Sequence, residues 1–363
     1  MGLSACPGPT PTGQPRRQGG SSAMPPGSDQ LPLHAQVLKL VTAGWLAQAV
    51  SATAELGVAD ALADGPRPLA ELAGATDTHA PSLYRLLRAG ADIGLFTEHD
   101  GRVFELTVLG DALRADSPVS LRNFAIWTGL PAERHAWAGL ADAVRTGHTA
   151  FPEVFGKPVW DYLHDHPDVL GVFDRAMTEA SRQIIAPVVA AYDFGRFSTI
   201  VDAGGGRGAL LAAVLASAPG TRGILYDRPE VIASAGQPLR DAGVADRAEL
   251  AAGDFFESVP GGGDAVILSN IIHDWDDEQS RRILTNARAA LPDGGHVLLV
   301  EAVLPDRPRP SPTVSLMDLD MLVVAGGRQR TADEFEALLA DSGLKLTRVV
   351  PGGHCSVVEA VRV

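Results

Sequence analysis

From Phe197 onward the chain alternates short apolar runs with helical segments, and no other feature limits the possible folds as much. Runs with strand character fall at 199–202, 223–227, 248–251, 265–269 and 296–301. The third is poor in strand-forming residues and is placed by its position in the alternation. Helical segments separate most of them, which predicts a mostly parallel, doubly wound sheet. The end departs from the pattern. Residues 345–350, the turn Pro351-Gly352-Gly353-His354 and residues 356–360 read as a hairpin, so the last strand is expected to enter antiparallel.

The first run ends in VDAGGGRG. Gly204, Gly206 and Gly208 follow Asp202 and a helix begins at once. Glycine lets the backbone turn sharply and approach a ligand closely, and the helix start offers free N–H groups. The next run ends in Asp227, about 20 residues past the last glycine, where an acid accepts hydrogen bonds from both hydroxyls of a ribose. This context predicts a nucleoside site. The loop alone leaves the cofactor open, because Gly204 to Ala209 also satisfies a dinucleotide pattern with a final alanine. The remaining strand ends narrow it. After the third run comes Asp254-Phe255, and a carboxylate beside an aromatic ring suits the exocyclic amine and face of a purine. After the fourth comes LSNIIHDWDDEQSRRIL, with His273 between strand and helix, and after the fifth comes Glu301. All these positions lie at the carboxyl edge of the sheet, where open α/β proteins bind ligands. His273 and Glu301 follow neighbouring strands and are expected to meet. A helix-capping role for His273 and a plain strand-end role for Glu301 are the structural alternatives.

The rest of the chain sets the frame. The first 30 residues are rich in Pro, Gly and Ser and are expected to be a disordered tail. Residues 34–56 are apolar on nearly every side of a helix, which predicts a helix buried all round, its partner a second copy of the chain. A short helix, a longer helix and a hairpin around Asp100-Gly101 follow, a winged-helix arrangement. DNA is not the expected ligand: between 31 and 118 there are six Lys or Arg against eleven Asp or Glu, and the whole chain carries −14. The same charge disfavours an anionic membrane, and no apolar run approaches the ~20 residues of a bilayer span. Two cysteines, Cys6 and Cys355, form no framework, which fits a reducing cytoplasm. No metal-ligand spacing appears. Residues 121–192 are helical and rich in large side chains, some of which are expected to line an aromatic pocket: Trp127, Trp137, Phe155, Phe173 and Met177, with Met321 from the C-terminal part. The expected division is 1–30 tail, 31–118 winged-helix-like dimerisation domain, 119–192 helical linker and pocket, and 193–363 cofactor-binding domain.

VDAGGGRG, YDRPEV, GDFFESVP, HDWDDE, LVEAVLP and GGRQRT come in the order seen in S-adenosylmethionine-dependent small-molecule O-methyltransferases. From about residue 31 onward the chain resembles the plant caffeate-type enzymes and, more closely, those of bacterial antibiotic pathways. The resemblance implies an α/β fold with a Rossmann-like seven-stranded methyltransferase sheet and a homodimer. It implies that Asp202, Gly204 and Gly206 hold the methionyl part and ribose edge of S-adenosylmethionine, Asp227 the ribose, and Asp254 with Phe255 the adenine. Ser181 matches a position near the cofactor carboxylate. Phe173 and Met177 match positions against acceptor and methyl donor. His273 matches the general base and Glu301 the carboxylate that orients it. Two positions depart from the pattern. Ser269 stands where many relatives have lysine, and Gln329 stands where many have an acid beside the base. Gln329 can hydrogen-bond the histidine but cannot balance its charge, which leaves His273 and Glu301 as a dyad.

These roles suit the chemistry. A phenol with pKa near 10 is mostly protonated at neutral pH, and histidine is suited to take its proton. A carboxylate on the far ring nitrogen fixes the tautomer and stabilises the imidazolium. The expected activity is methylation of an aromatic hydroxyl in bacterial secondary metabolism. The rivals are C- or N-methylation on the same fold, a nucleotide-responsive winged-helix regulator, which the acidic N-terminal half disfavours, and an NAD-dependent oxidoreductase, which GDFF and HDWDDE disfavour.

Overall fold

The computed structural model describes residues 32–305 and 311–363. The expected tail, with Cys6, lies outside them. The chain falls into two units, one ending at Trp45 and the other running from Leu46 to Val363.

The larger unit is organised by a seven-stranded sheet. Its strands are β1 (Thr199–Ala203), β2 (Arg222–Asp227), β3 (Ala248–Ala252), β4 (Ala265–Ser269), β5 (His296–Glu301), β6 (Leu344–Gly352) and β7 (Cys355–Arg362). The spatial order is β6-β7-β5-β4-β1-β2-β3. The first five strands are parallel to one another. β7 inserts antiparallel between β5 and β6, as the terminal hairpin predicted, with Gly353 at positive φ in its two-residue turn. β1, β4 and β5 are buried almost end to end, because helices cover both faces and apolar residues are needed at successive positions. Alternate residues feed separate layers. Val297 and Leu299 pack with Ile283, Leu284 and Phe335 on one face, while Leu298 and Val300 pack with Val188 and Val214 on the other. β3 is an edge strand with mostly half-exposed or exposed residues, which is why its sequence carries so little strand signal.

Upstream in the same unit, the helices Leu69–Ala75 and Ala80–Asp92 are followed by the hairpin Phe96–His99 and Val103–Leu106. Arg67–Pro68 adds a short third strand. Leu72, Leu83, Leu87, Phe96 and Phe104 form the core of this part.

The first apolar helix differs from expectation in two ways. It is broken: Leu33–Val41 ends at Thr42, and a new helix runs Ala43–Glu55. Gly44, a poor helix former, follows the break, and the Thr42 hydroxyl donates to the Leu38 carbonyl at 2.8 Å. It is also exposed rather than buried in the single chain. Leu38, Leu40, Val41 and Trp45 face solvent, Trp45 at 77 %. Among the described residues no single helix is long and apolar enough to cross a membrane.

Candidate active site

β4 and β5 are neighbours in register, with Ser269 opposite Val300. Their carboxyl ends therefore release the chain side by side. Glu301, the last residue of β5, is fully buried, and its Oε1 accepts the backbone N–H groups of Ile271 (3.1 Å) and Ile272 (2.8 Å) just beyond β4. Its Oε2 meets His273 Nδ1 at 2.5 Å. His273 sits in a single 3-10 turn, Ile272–Asp274. It does not cap the next helix. Asp276 does, accepting the Gln279 N–H at 2.8 Å. The capping alternative for His273 thus fails, and Glu301 is no surface acid.

Burial pulls the His273 pKa down, but the charges of Glu301 and Asp274 outweigh it and raise the pKa to about 9. Asp274 Oδ1 lies 3.5 Å from His273 Nε2. Burial raises the Asp274 pKa to about 6 against the opposing pull of the imidazole. The loop is clamped from beneath by Arg330, a fully buried residue. Its guanidinium donates to the carbonyls of Ile272 (3.0 Å) and Trp275 (3.1 Å) and pairs with Asp277 at 2.7 Å. A Cβ at Gly327 would run into the His273 carbonyl, so only glycine fits there. Gln329 departs from the reading of the sequence. Its backbone N–H donates to Asp318 at 2.8 Å, but its amide oxygen and nitrogen are both buried without a partner, so it does not hydrogen-bond His273.

The glycine loop opens the neighbouring cleft. Gly204, Gly206 and Gly208 all have positive φ, which L side chains rarely adopt. A Cβ at Gly204 would lie 2.6 Å from Ile271, whereas nothing lies within 4 Å of one at Gly206, where the loop faces open space. Asp227 Oδ2 accepts the Gly206 N–H (2.8 Å) and Oδ1 the Arg228 N–H (2.7 Å), so its carboxylate is fixed beside the loop. Asp202 is fully buried with neither carboxylate oxygen bonded. Burial, then the charge of Asp227, raises its pKa to about 7. A buried carboxyl with no partner at the root of a glycine loop fits a ligand that brings donors. Asp254 is exposed after β3, accepting the Phe256 N–H at 2.7 Å, and Phe255 lies half-buried next to it. Ser269, at the end of β4, is partly buried.

The long helix Pro167–Ala191 crosses this edge of the sheet. Its Asp174 feels the charges of Arg207, in the glycine loop, and Arg228. Phe173 and Met177 pack in the helical cluster around Trp127, and Ser181 lies partly buried one turn on. The rings form a connected series. Phe173 is 5.1 Å from Trp127 and 5.8 Å from Trp160, Trp160 is 6.1 Å from Trp275, and Trp275 is 6.4 Å from Phe255. This aromatic wall joins the helical region to the cofactor edge. Met321 begins the short π-helix Met321–Ala325 and is partly buried. Just before it, Asp320 shares the indole N–H of Trp137 with Glu133, at 2.8 and 2.9 Å. Sequence reasoning missed this pair, Asp274 and Arg330. Glu133 and Trp137 lie four apart on one helix, a signal that could have drawn notice.

A seven-stranded sheet of this order, with a glycine loop after β1, acids after β2 and β3, and a histidine–glutamate dyad after β4 and β5, defines an S-adenosylmethionine-dependent methyltransferase. Comparison with known proteins agrees. Residues 137–345 match the O-methyltransferase domain and residues 38–116 the O-methyltransferase dimerisation domain. The phenazine O-methyltransferase PhzM of Lysobacter antibioticus is 45 % identical over 331 residues, 91 % of this chain and 96 % of that protein. The crystal structure of LaPhzM superposes with a TM-score of 0.87 at 45 % identity, covering 92 % of this chain and all of that one. NcsB1, from neocarzinostatin biosynthesis, was crystallised with S-adenosylmethionine and 2-hydroxy-5-methyl naphthoic acid. It superposes with a TM-score of 0.74 at 34 % identity over 88 % of this chain and 96 % of its own. The chain belongs to the O-methyltransferase family of bacterial secondary metabolism, and its cofactor is S-adenosylmethionine.

Proposed function

We propose that this enzyme methylates a phenolic hydroxyl of an aromatic small molecule, with His273 as general base and Glu301 as the residue that orients it. The observation that carries this reading is the buried 2.5 Å contact between His273 Nδ1 and Glu301, which leaves Nε2, with Asp274 Oδ1 3.5 Å away, as the nitrogen to take a proton. Bound S-adenosylmethionine supplies a methyl group activated on a sulfonium. The chain's own residues do the rest. Asp227, held by two backbone N–H groups, receives the ribose hydroxyls, and Asp254 with Phe255 receives the adenine. Asp202, Gly204 and Gly206 hold the inner edge, with Ser181 and Ser269 at its margin. Phe173 and Met177 press acceptor and donor together, and Trp127 and Met321 extend the apolar wall. His273 Nε2 removes the phenolic proton as the oxygen is methylated, and Glu301 stabilises the imidazolium that forms. In-line transfer gains most from fixed orientation, which a rigid sheet edge provides.

The same reading divides the chain into a dimerisation part, 31–118, a pocket-forming linker, 119–192, and a cofactor-binding part, 193–363, acting as a cytoplasmic homodimer. The exposed apolar side chains of Leu33–Val41 support the dimer, since burying each contributes roughly 1.5–3 kcal/mol. A monomeric mass by light scattering at micromolar concentration would contradict it. The activity is tested by mass spectrometry of products from a panel of phenols with S-adenosylmethionine. Fragmentation places the methyl on oxygen; a methyl on carbon or nitrogen overturns the reading.

A further inference from the structure

We propose that Glu133 and Asp320 form a polar anchor for a nitrogen-bearing acceptor, whose N–H or ammonium group docks against the two carboxyls while its hydroxyl sits at His273. This deepens the proposed function and rests on it for the position of the hydroxyl.

The helix Pro131–Ala138 brings Glu133 and Trp137 to one face, and the helix Pro312–Asp320 ends at Asp320. The single indole N–H of Trp137 lies between Glu133 Oε1 (2.9 Å) and Asp320 Oδ1 (2.8 Å). The two carboxyls therefore converge on one donor. Glu133 is only 4 % exposed, yet among the described residues its Oε2 has no hydrogen-bond partner. Carboxyls retained for packing alone are normally fully bonded, so an orphan acceptor of this kind marks a missing donor.

The place of the pair points to the acceptor. The turn Ile272–Asp274 packs against Met321–Ala325, which follows Asp320 directly, and Asp320 interacts electrostatically with both His273 and Asp274. Glu133 belongs to the same helix as Ala132 and Ala136, which pack in the aromatic cluster with Trp127 and Phe173. Asp274, Glu301 and Asp320 thus act on a single imidazole, and Glu133 joins them through Asp320 and the Trp137 indole. Arg330, the buried cation next to them, is already paired with Asp277. Burial holds the Glu133 pKa up at about 9 and raises that of Asp320, so the pair keeps a proton against the opposing charges of Arg134 on Glu133 and His273 on Asp320. A neutral hydroxyarene leaves this arrangement unused. An amine fills it: an ammonium displaces that proton to solvent and donates to both carboxyls.

The test uses matched probes, tyramine with 4-propylphenol and 3-(aminomethyl)phenol with 3-ethylphenol, on the parent, Glu133→Gln, Asp320→Asn and the double variant. Calorimetry gives affinity for the complex with S-adenosylhomocysteine, and product formation gives kcat/KM. The parent should favour the amine of at least one pair by tenfold or more, with proton release on binding. That ratio should fall to about one in the double variant. S-adenosylhomocysteine affinity within twofold of the parent verifies the fold, and the two single variants serve separately if the double one fails to fold. A ratio near one in the parent, no binding of either amine at millimolar concentration, or a preference that survives both substitutions overturns the anchor. If the amine preference appears in binding but no hydroxyl is methylated, the anchor stands and the proposed reaction falls.

Discussion

Replacing Glu301 by glutamine separates the charge of the dyad from its shape. In the parent, His273 is raised from its ordinary value of 6.5 to about 9. At 1.36 kcal/mol per pKa unit, this corresponds to about 3 kcal/mol of interaction favouring the imidazolium. Burial opposes that interaction, and Glu301 is the largest cause that sustains it, ahead of Asp274. Glutamine keeps an oxygen for the N–H groups of Ile271 and Ile272 but brings no charge. The His273 pKa should then fall by two units or more, followed directly by the NMR titration of its ring proton. A base works only when neutral, so log kcat/KM for the acceptor should rise with pH up to the His273 pKa and level off above it. In the cofactor complex that bend lies below 9, since a positive charge in the cleft lowers the pKa of a neighbouring cation. The variant's bend should sit about two units lower still, on a plateau roughly 10- to 100-fold below the parent's because orientation and imidazolium stabilisation are weakened. Stability follows the same linkage. A raised histidine pKa contributes fully below the unfolded value of 6.5 and is lost as pH rises through about 9. Urea unfolding of the parent should therefore lose up to about 3 kcal/mol from this group across that window, and the variant much less. An unchanged bend in Glu301→Gln, or a parent His273 that titrates near 6.5, would refute the coupling.

His273→Ala should lower turnover about 10²–10⁴-fold with cofactor affinity nearly intact, and a phenol already ionised at the assay pH should restore part of the rate. Asp227→Ala should weaken S-adenosylmethionine binding by roughly 1.5–3 kcal/mol, read by calorimetry, because the ribose loses a charged acceptor. Arg330→Met should cost roughly 3–5 kcal/mol in chemical unfolding, since it strips a buried cation from Asp277 and leaves the Ile272 and Trp275 carbonyls unpaired.

The sheet was legible because its inner strands need apolar residues on both faces, and such runs stand out. Its weakest strand to read, β3, lies at an edge where that demand lapses. The glycine loop and the acids at strand ends were legible because backbone conformation and ligand chemistry dictate residue types there. The break at Thr42 was not, because a favourable apolar pattern runs straight through it. The meeting of Trp137 with Asp320 spans 183 residues and depends on tertiary packing that leaves no local mark. Arg330 was quoted within a motif and its role was missed: an arginine reads as a surface residue until its partners, two carbonyls and Asp277, are seen to enclose it. Gln329 could be read as a departure from the acid of its relatives, but sequence could not reveal that its amide would stand unbonded.

The position of β7 bears on how the enzyme comes into being. Residue by residue, Ser356 to Val361 pair with Glu301 to His296, so the strand that ends in the dyad's carboxylate has β7, made well after it, as its neighbour. During synthesis, β1 to β5 can assemble in order as they emerge, but β5 then presents Val297, Leu298, Leu299 and Val300 on an open edge. That edge is closed only when β7 has been made and has folded back beside it. Catalytic competence therefore waits for β7, and a product cut short before it would be a sticky intermediate rather than a weak enzyme.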